Sequence, residues 1–278
     1  MSGRGKARTI EVPEAFSFLF DGDLGDYRFR ICHGGRGSGK SHAYATALVI
    51  RATQTPLTIL CCREIQKSIR DSAKRLIENK IADCGFRSFY QIIETEIRGA
   101  NGSRFMFAGL RSHPESVQSA EGIDVAWVEE ARRVSARSWE ILTPTIRRPK
   151  SEIWVTYNPY DPQDPVDKMF RGEAGPPPRS IIREVNYDQN PFFPDVLREE
   201  MEWDRARDPE KYAHVWLGKY RGRSEARVFH NWKVEEFDTP DDAEFYFGAD
   251  FGFAVDPTTL VRVFIKGRTL FIDREAYK

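Results

Sequence analysis

The chain reads as an α/β fold built on a mostly parallel sheet, and three observations predict it. Short continuous apolar runs at 57–62, 124–128 and 152–156 have the composition of strands buried on both faces. Stretches of helical spacing alternate with them, the pattern of strands joined by crossover helices. The segment Gly34-Gly35-Arg36-Gly37-Ser38-Gly39-Lys40-Ser41 then stands between a strand and a helix and fits the Walker A spacing without mismatch.

The strand ahead of those glycines is 28–32, and the helix behind them is 41–53, with Ala45, Leu48, Val49 and Ala52 as its apolar positions. In that setting the spacing has a mechanism. The backbone of Gly34, Gly35, Gly37, Ser38 and Gly39 turns N–H groups toward a phosphate, and Lys40 reaches the β- and γ-phosphates. Ser41 offers a hydroxyl to Mg²⁺, and the helix opening there adds its positive dipole end. The alternative is a Gly-rich turn that binds nothing. Strand before and helix after favour ATP or a close relative.

Beyond the strand at 57–62, Ile65, Ile69, Ala73, Leu76, Ile77 and Ile81 recur at helical spacing, and Gly85 supplies a C-cap. The segments 89–94 and 104–108 read as two strands around the turn Gly99-Ala100-Asn101-Gly102, an antiparallel insertion. A polar loop is expected at 111–122 and a strand at 124–128, running into Glu129-Glu130. A short helix at 135–142 is expected to stop at Pro144. The strand at 152–156 ends at Tyr157-Asn158-Pro159, and the sheet should be complete by about Tyr187. The boundaries expected are 1–187 for this domain, 188–240 for a charged helical region rich in Trp and Tyr, and 241–278 for the beginning of another domain. In the last, 245–250, 260–265 and 269–273 read as strands, with Lys266-Gly267 as a turn.

Composition narrows the class. With 40% apolar and 13% aromatic residues the 278-residue chain can bury a core, and its 42 basic and 42 acidic residues cancel, so no global field marks a nucleic-acid partner. The segment 2–8 carries Arg4, Lys6 and Arg8 without an acid and reads as a disordered arm, whereas 199–210 reads as a solvated helix face. Cys32, Cys61, Cys62 and Cys84 form no C-x-x-C pair and read as reduced core residues. No apolar run reaches membrane-spanning length and no signal-peptide segment opens the chain, so a cytosolic location is expected.

Glu129 and Glu130 end an apolar strand, as in a Walker B. The first acid there holds Mg²⁺, and the second polarises the water that attacks the γ-phosphate. Without the Walker A the same pair would read as helix N-terminal acids. Asn158 ends the next strand, where its amide contacts the γ-phosphate or its water; otherwise Asn-Pro merely opens a turn. Arg36 is close enough to charge the transferring phosphoryl group, or else faces solvent. For Arg132, Arg133, Arg137, Arg147 and Arg148 a solvated face is the default, with one of them an alternative arginine finger toward a neighbouring subunit. Asp250 lies in an apolar, aromatic strand, where an acid is costly unless paired or bound to metal; a turn beside Gly252 is the other reading.

Together Gly34–Ser41, Val125–Glu130, 156–159, Asn186-Tyr187-Asp188-Gln189-Asn190-Pro191-Phe192, 212–218 and 248–252 resemble the large terminase subunit of tailed bacteriophages, the branch whose Walker B ends Glu-Glu. The resemblance implies a RecA/helicase-like P-loop ATPase, a helical linker and the start of an RNase H-like nuclease domain. It implies that Lys40 and Ser41 hold phosphate and Mg²⁺, that Glu129 is the metal-side acid and Glu130 the catalytic base. It assigns Asn158 to a coupling motif and Arg36 to a role in cis. Asp250 becomes the first nuclease carboxylate, on the first and central strand, binding Mg²⁺ or Mn²⁺. The other nuclease acids would fall beyond Lys278, since Asp256 and Asp273 lie too near Asp250 to replace them. The implied partners are double-stranded DNA, a portal protein, a small terminase subunit and further copies in a ring, all in the cytoplasm of a bacterial host. Competing readings are a DNA helicase or recombination ATPase, and a nucleotide-gated assembly protein without catalysis.

Overall fold

Eight strands form the larger sheet, in the order β3-β4-β5-β2-β6-β7-β1-β8. The computed structural model describes residues 9–65, 70–111, 122–221, 233–252 and 258–277, and the chain divides into two compact units, Met1–Glu225 and Ala226–Lys278. The strands are β1 (Phe29–His33), β2 (Thr58–Arg63), β3 (Tyr90–Ile92), β4 (Glu96–Gly99), β5 (Arg104–Gly109), β6 (Val125–Glu129), β7 (Glu152–Tyr157) and β8 (Ser180–Glu184). Pairings among β5, β2, β6, β7, β1 and β8 are parallel; β3, β4 and β5 pair antiparallel.

The central strands β1, β6 and β7 are buried at every position, which is why they read as continuous apolar runs. One face is covered by α1 (Lys40–Gln54) and α2 (Arg75–Asp83), packing Tyr44, Leu48, Ile77 and Ile81 with Trp127 and Trp154. The other is covered by α3 (Ala136–Thr145) and α4 (Pro165–Arg171), packing Trp139, Leu142, Val166 and Phe170 with Ile31, Val128 and Val155. Each such side chain, fully buried, contributes about 1.5–3 kcal/mol of transfer free energy. Two further helices, α5 (Asp195–Arg207) and α6 (Pro209–Leu217), close a small third core of Phe193, Met201 and Trp216.

Several expectations change. The turn at 99–102 joins β4 to β5, so the insertion is a three-stranded meander, not a hairpin of 89–94 with 104–108. Glu96 makes the extra strand viable: it is buried, and it accepts hydrogen bonds from Arg98 and Arg104. Pro144 lies inside α3 rather than ending it. It stands in the last turn, where the Ile146 N–H still closes on Leu142 O at 3.2 Å and Thr145 Oγ1 donates to Ile141 O at 2.7 Å. Edge strand β8 and helix α4 are additions the spacing did not reveal. Gly85 does end α2, with the Phe86 N–H donating to Ile81 O at 2.8 Å. Ile69, the loop at 112–121 and Asp256 lie outside the described residues.

In the second unit β9 (Phe245–Asp250), β10 (Thr259–Lys266) and β11 (Thr269–Tyr277) pair antiparallel in the order β11-β10-β9. Among the described residues β10 is therefore central, and β9, which carries Asp250, is an edge strand. The buried Phe264 stacks on Phe271 at 4.8 Å and meets Phe237 and Phe245 edge-on.

Candidate nucleotide site

Strand register brings the predicted residues to one edge of the larger sheet. His33 of β1 pairs with Tyr157 of β7, and Thr156 of β7 pairs with Glu129 of β6. The chain therefore leaves the sheet at the same level toward Gly34, toward Asn158 and toward Glu130. That is the C-terminal edge, where parallel α/β sheets hold their ligands.

The Walker A loop is held from outside. The Gly35 N–H donates to Asn186 Oδ1 at 2.7 Å, the Arg36 N–H to Val215 O at 2.7 Å, and Asn190 Nδ2 to Gly37 O at 2.7 Å. Gly34 has φ +146°, and a Cβ there would stand 2.1 Å from Val185 O; on Gly35 it would stand 2.0 Å from Trp216 O. Only glycine permits such close backbone contact, so 185–190 and 215–218 act as an outer brace for the loop. Trp216 is fixed in turn by donating to Asp204 at 3.0 Å.

Inside the loop, Lys40 is buried and its Nζ donates to Gly34 O (3.1 Å), Gly35 O (2.8 Å) and Ser38 Oγ (2.8 Å). Burial pushes the ammonium down to about 8. Those neutral acceptors compensate the charge poorly, whereas a phosphate oxygen would do so well. Helix α1 starts behind Gly39 without a side-chain cap, which leaves its first-turn N–H groups for an anion. The loop thus fits a polyphosphate, and Ser41 stands at the first turn of α1.

Glu129 is buried, and Glu130 has its side chain 52% exposed. Glu130 takes a left-handed backbone conformation, φ +51° and ψ +42°, which costs a non-glycine residue about 1–3 kcal/mol. Arg63, at the end of β2, is the residue that sequence reasoning missed. Its Nε and Nη2 donate to Glu129 Oε2 at 2.9 and 2.7 Å, and Nη2 lies 3.4 Å from Glu130 Oε1. The only sequence signal was a basic residue closing an apolar parallel strand. Asn158 is exposed at the edge, beside the buried Tyr157. The side chain of Arg36 is exposed, as are Arg133, Arg137, Arg147 and Arg148. Arg148 pairs with Asp124 at 2.9 Å, and Arg132 stacks over Tyr160 at 3.8 Å.

Asp250 belongs to the second unit. Asp273 is not placed to join it: it lies across β10 and three to four residues along, roughly 15 Å away by strand geometry. It is already neutralised by Arg262 at 3.0 and 2.5 Å. Among the described residues no group of three or more His, Cys, Asp or Glu is arranged to hold a metal ion.

Fold and site together define a P-loop nucleotide-binding protein with a mostly parallel sheet. Residues 26–219 match the phage terminase large subunit family, and the chain belongs to that family. It is 25% identical over 282 residues to the PBSX phage terminase large subunit of Bacillus subtilis (strain 168), covering 91% of this chain and 64% of that protein. Against the terminase large subunit of Bacillus phage SPP1 it is 25% identical over 255 residues, 84% of this chain and 59% of that one. The chain thus spans about three fifths of the length of these relatives.

Among solved structures, the large terminase of a thermophilic bacteriophage superimposes with a TM-score of 0.62 at 14% identity, over 97% of this chain and 69% of that one. The large terminase ATPase domain of Thermus phage P74-26 gives 0.57 at 15%, over 74% and 92%. At such identities the likeness establishes the fold. The first of these two proteins has also been solved with ADP and with ATP-gamma-S.

Proposed function

We propose that the first unit is the ATP-hydrolysing part of a motor that moves viral double-stranded DNA into a procapsid. The supporting observation is the shared sheet edge of the Lys40 loop, Asn158 and Glu129-Glu130, fixed by the β1-β7-β6 register. Lys40 and the first turn of α1 bind the β- and γ-phosphates, and Ser41 with Glu129 would hold Mg²⁺, whose charge offsets that of the phosphates. Glu130 takes a proton from the attacking water, and its exposed carboxylate has the reach to do so. Asn158 orients that water or the γ-phosphate, and Arg36 adds charge from the loop. ATP is the nucleotide, and the partners are duplex DNA, a portal protein, a small terminase subunit and further copies in a ring. Among the described residues no helix is long and apolar enough to cross a membrane.

Purified protein should hydrolyse ATP weakly, and duplex DNA should raise the rate. Stimulation by RNA but not by duplex DNA would favour a helicase instead. Asp250 is proposed as the first carboxylate of a nuclease site that needs further acids. This chain should therefore not nick a plasmid with Mn²⁺; robust nicking abolished by Asp250→Ala would show a complete site.

A further inference from the structure

Two consecutive residues that no nucleotide motif includes reach the loop leaving β7, Tyr220 through Asp167 and Arg221 directly. Tyr157, just before Asn158, donates its hydroxyl to Asp167 Oδ1 at 3.0 Å, and Tyr220 donates to the same oxygen at 3.3 Å. Arg171 closes this cluster. Its Nε donates to Asp167 Oδ1 at 2.6 Å, its guanidinium lies over the Tyr220 ring at 4.8 Å, and its Nη1 is 3.4 Å from His33 Nδ1. Burial, with Arg171 beside it, pushes the His33 imidazole down to about 4, so it stays neutral and able to accept. Because His33 immediately precedes Gly34, the cluster joins the root of the Walker A loop to the root of Asn158.

The second grip is on Tyr160. The Arg221 N–H donates to Tyr160 O at 2.8 Å, and Arg221 Nη1 donates to the Tyr160 hydroxyl at 3.1 Å. The same ring stacks with Arg132, two residues past Glu130, and meets His214 of α6 edge-on. Side chains rooted beside both nucleotide motifs thus converge on 157–160, and Tyr220 and Arg221 hold that loop from the opposite end of the unit's sequence. The chain runs on from Arg221 toward the second unit.

We propose that Tyr220 and Arg221 are positioning residues that latch the 157–160 loop, and that nucleotide binding loosens the latch. The phosphate state would then be felt at Tyr220 and Arg221. The inference rests on the ATPase reading, since it needs a nucleotide to draw Asn158 toward the phosphate. Asp167 is buried and its Oδ1 alone takes the bonds from Tyr157, Tyr220 and Arg171, so the three donors are coupled through one atom.

Amide hydrogen exchange of the whole chain, with and without Mg²⁺ and ATP-gamma-S, tests this. Nucleotide should speed exchange at 219–221 at least about five-fold, since the Arg221 N–H loses Tyr160 O. Tyr220→Phe removes one anchor and keeps the ring, so it should exchange faster without nucleotide and change less than about two-fold on binding. It should also bind nucleotide more tightly, because binding no longer has to loosen the latch. A purely structural tyrosine would leave the nucleotide response intact. Failure to bind ATP-gamma-S overturns the ATPase reading and the latch together. Binding with unchanged exchange at 219–221, or an equal response in Tyr220→Phe, overturns the latch alone.

Discussion

Two arginine–glutamate pairs bridge strands of the same sheet, and they differ in what surrounds them. Arg30 of β1 and Glu152 of β7 are fully buried, 2.9 Å apart, and Glu152 also accepts from Trp154 Nε1 at 2.7 Å and from the Gly25 N–H at 2.7 Å. Arg63 of β2 and Glu129 of β6 pair as closely, but at the C-terminal edge, beside an exposed Glu130. In the first pair both carboxylate oxygens of Glu152 are taken by protein donors. The second has been left with a carboxylate that Mg²⁺ would compete for. In the proposed function the same chemistry serves cohesion at one site and catalysis at the other, according to whether the sheet closes around it.

The contrast is open to direct test. Glu152→Ala should cost about 3–5 kcal/mol, because it strands a buried guanidinium, and added nucleotide should not selectively repair it. Arg63→Met should cost less, about 1–3 kcal/mol, because the edge pair is not sealed and water can relax it. Mg²⁺ with nucleotide should recover most of that loss, since the metal takes over the task of neutralising Glu129. Denaturant unfolding with and without nucleotide separates the two variants; equal losses and equal rescue would erase the distinction.

A smaller effect concerns Lys40. Its folded pKa, about 8, lies below the ordinary 10.5, so between those values the unfolded chain holds more protons and unliganded stability rises with pH. Phosphate binding restores the charge, so nucleotide should bring a proton with it above pH 8 and bind less tightly as pH rises. Calorimetry of ADP binding in two buffers of different ionisation enthalpy should show uptake of up to about one proton at pH 8.5 and almost none at pH 7. Identical heats in both buffers at pH 8.5 would mean that Lys40 is charged before the ligand arrives.

The parts legible in the sequence were those whose cause is local. Gly34 to Ser41 specify a loop and a helix start by spacing alone, and β1, β6 and β7 are apolar throughout because both faces are covered. The three strands of the second unit were readable from their local composition, though not that β10 lies between its neighbours. What escaped depends on pairing between distant segments. Arg63 is unremarkable until β2 lies beside β6. Asn186 and Val215 matter because they meet Gly35 and Arg36 across more than 150 residues of chain. Pro144 misled because its missing N–H costs little in the final turn of a helix, and Glu96 because its strand needs two arginines supplied by its own hairpin.

In the proposed function Glu130 acts in the chemical step and Lys40 in binding, so the two should fail differently. The most direct measurement is ATP affinity and single-turnover hydrolysis for Glu130→Gln beside Lys40→Ala. Lys40→Ala should weaken binding and hydrolysis together. Glu130→Gln should bind ATP as the unaltered protein does while hydrolysis falls by about two to four orders of magnitude, the scale of a lost general base. Hydrolysis by Glu130→Gln at the unaltered rate, or an inability to bind ATP, would contradict the assignment.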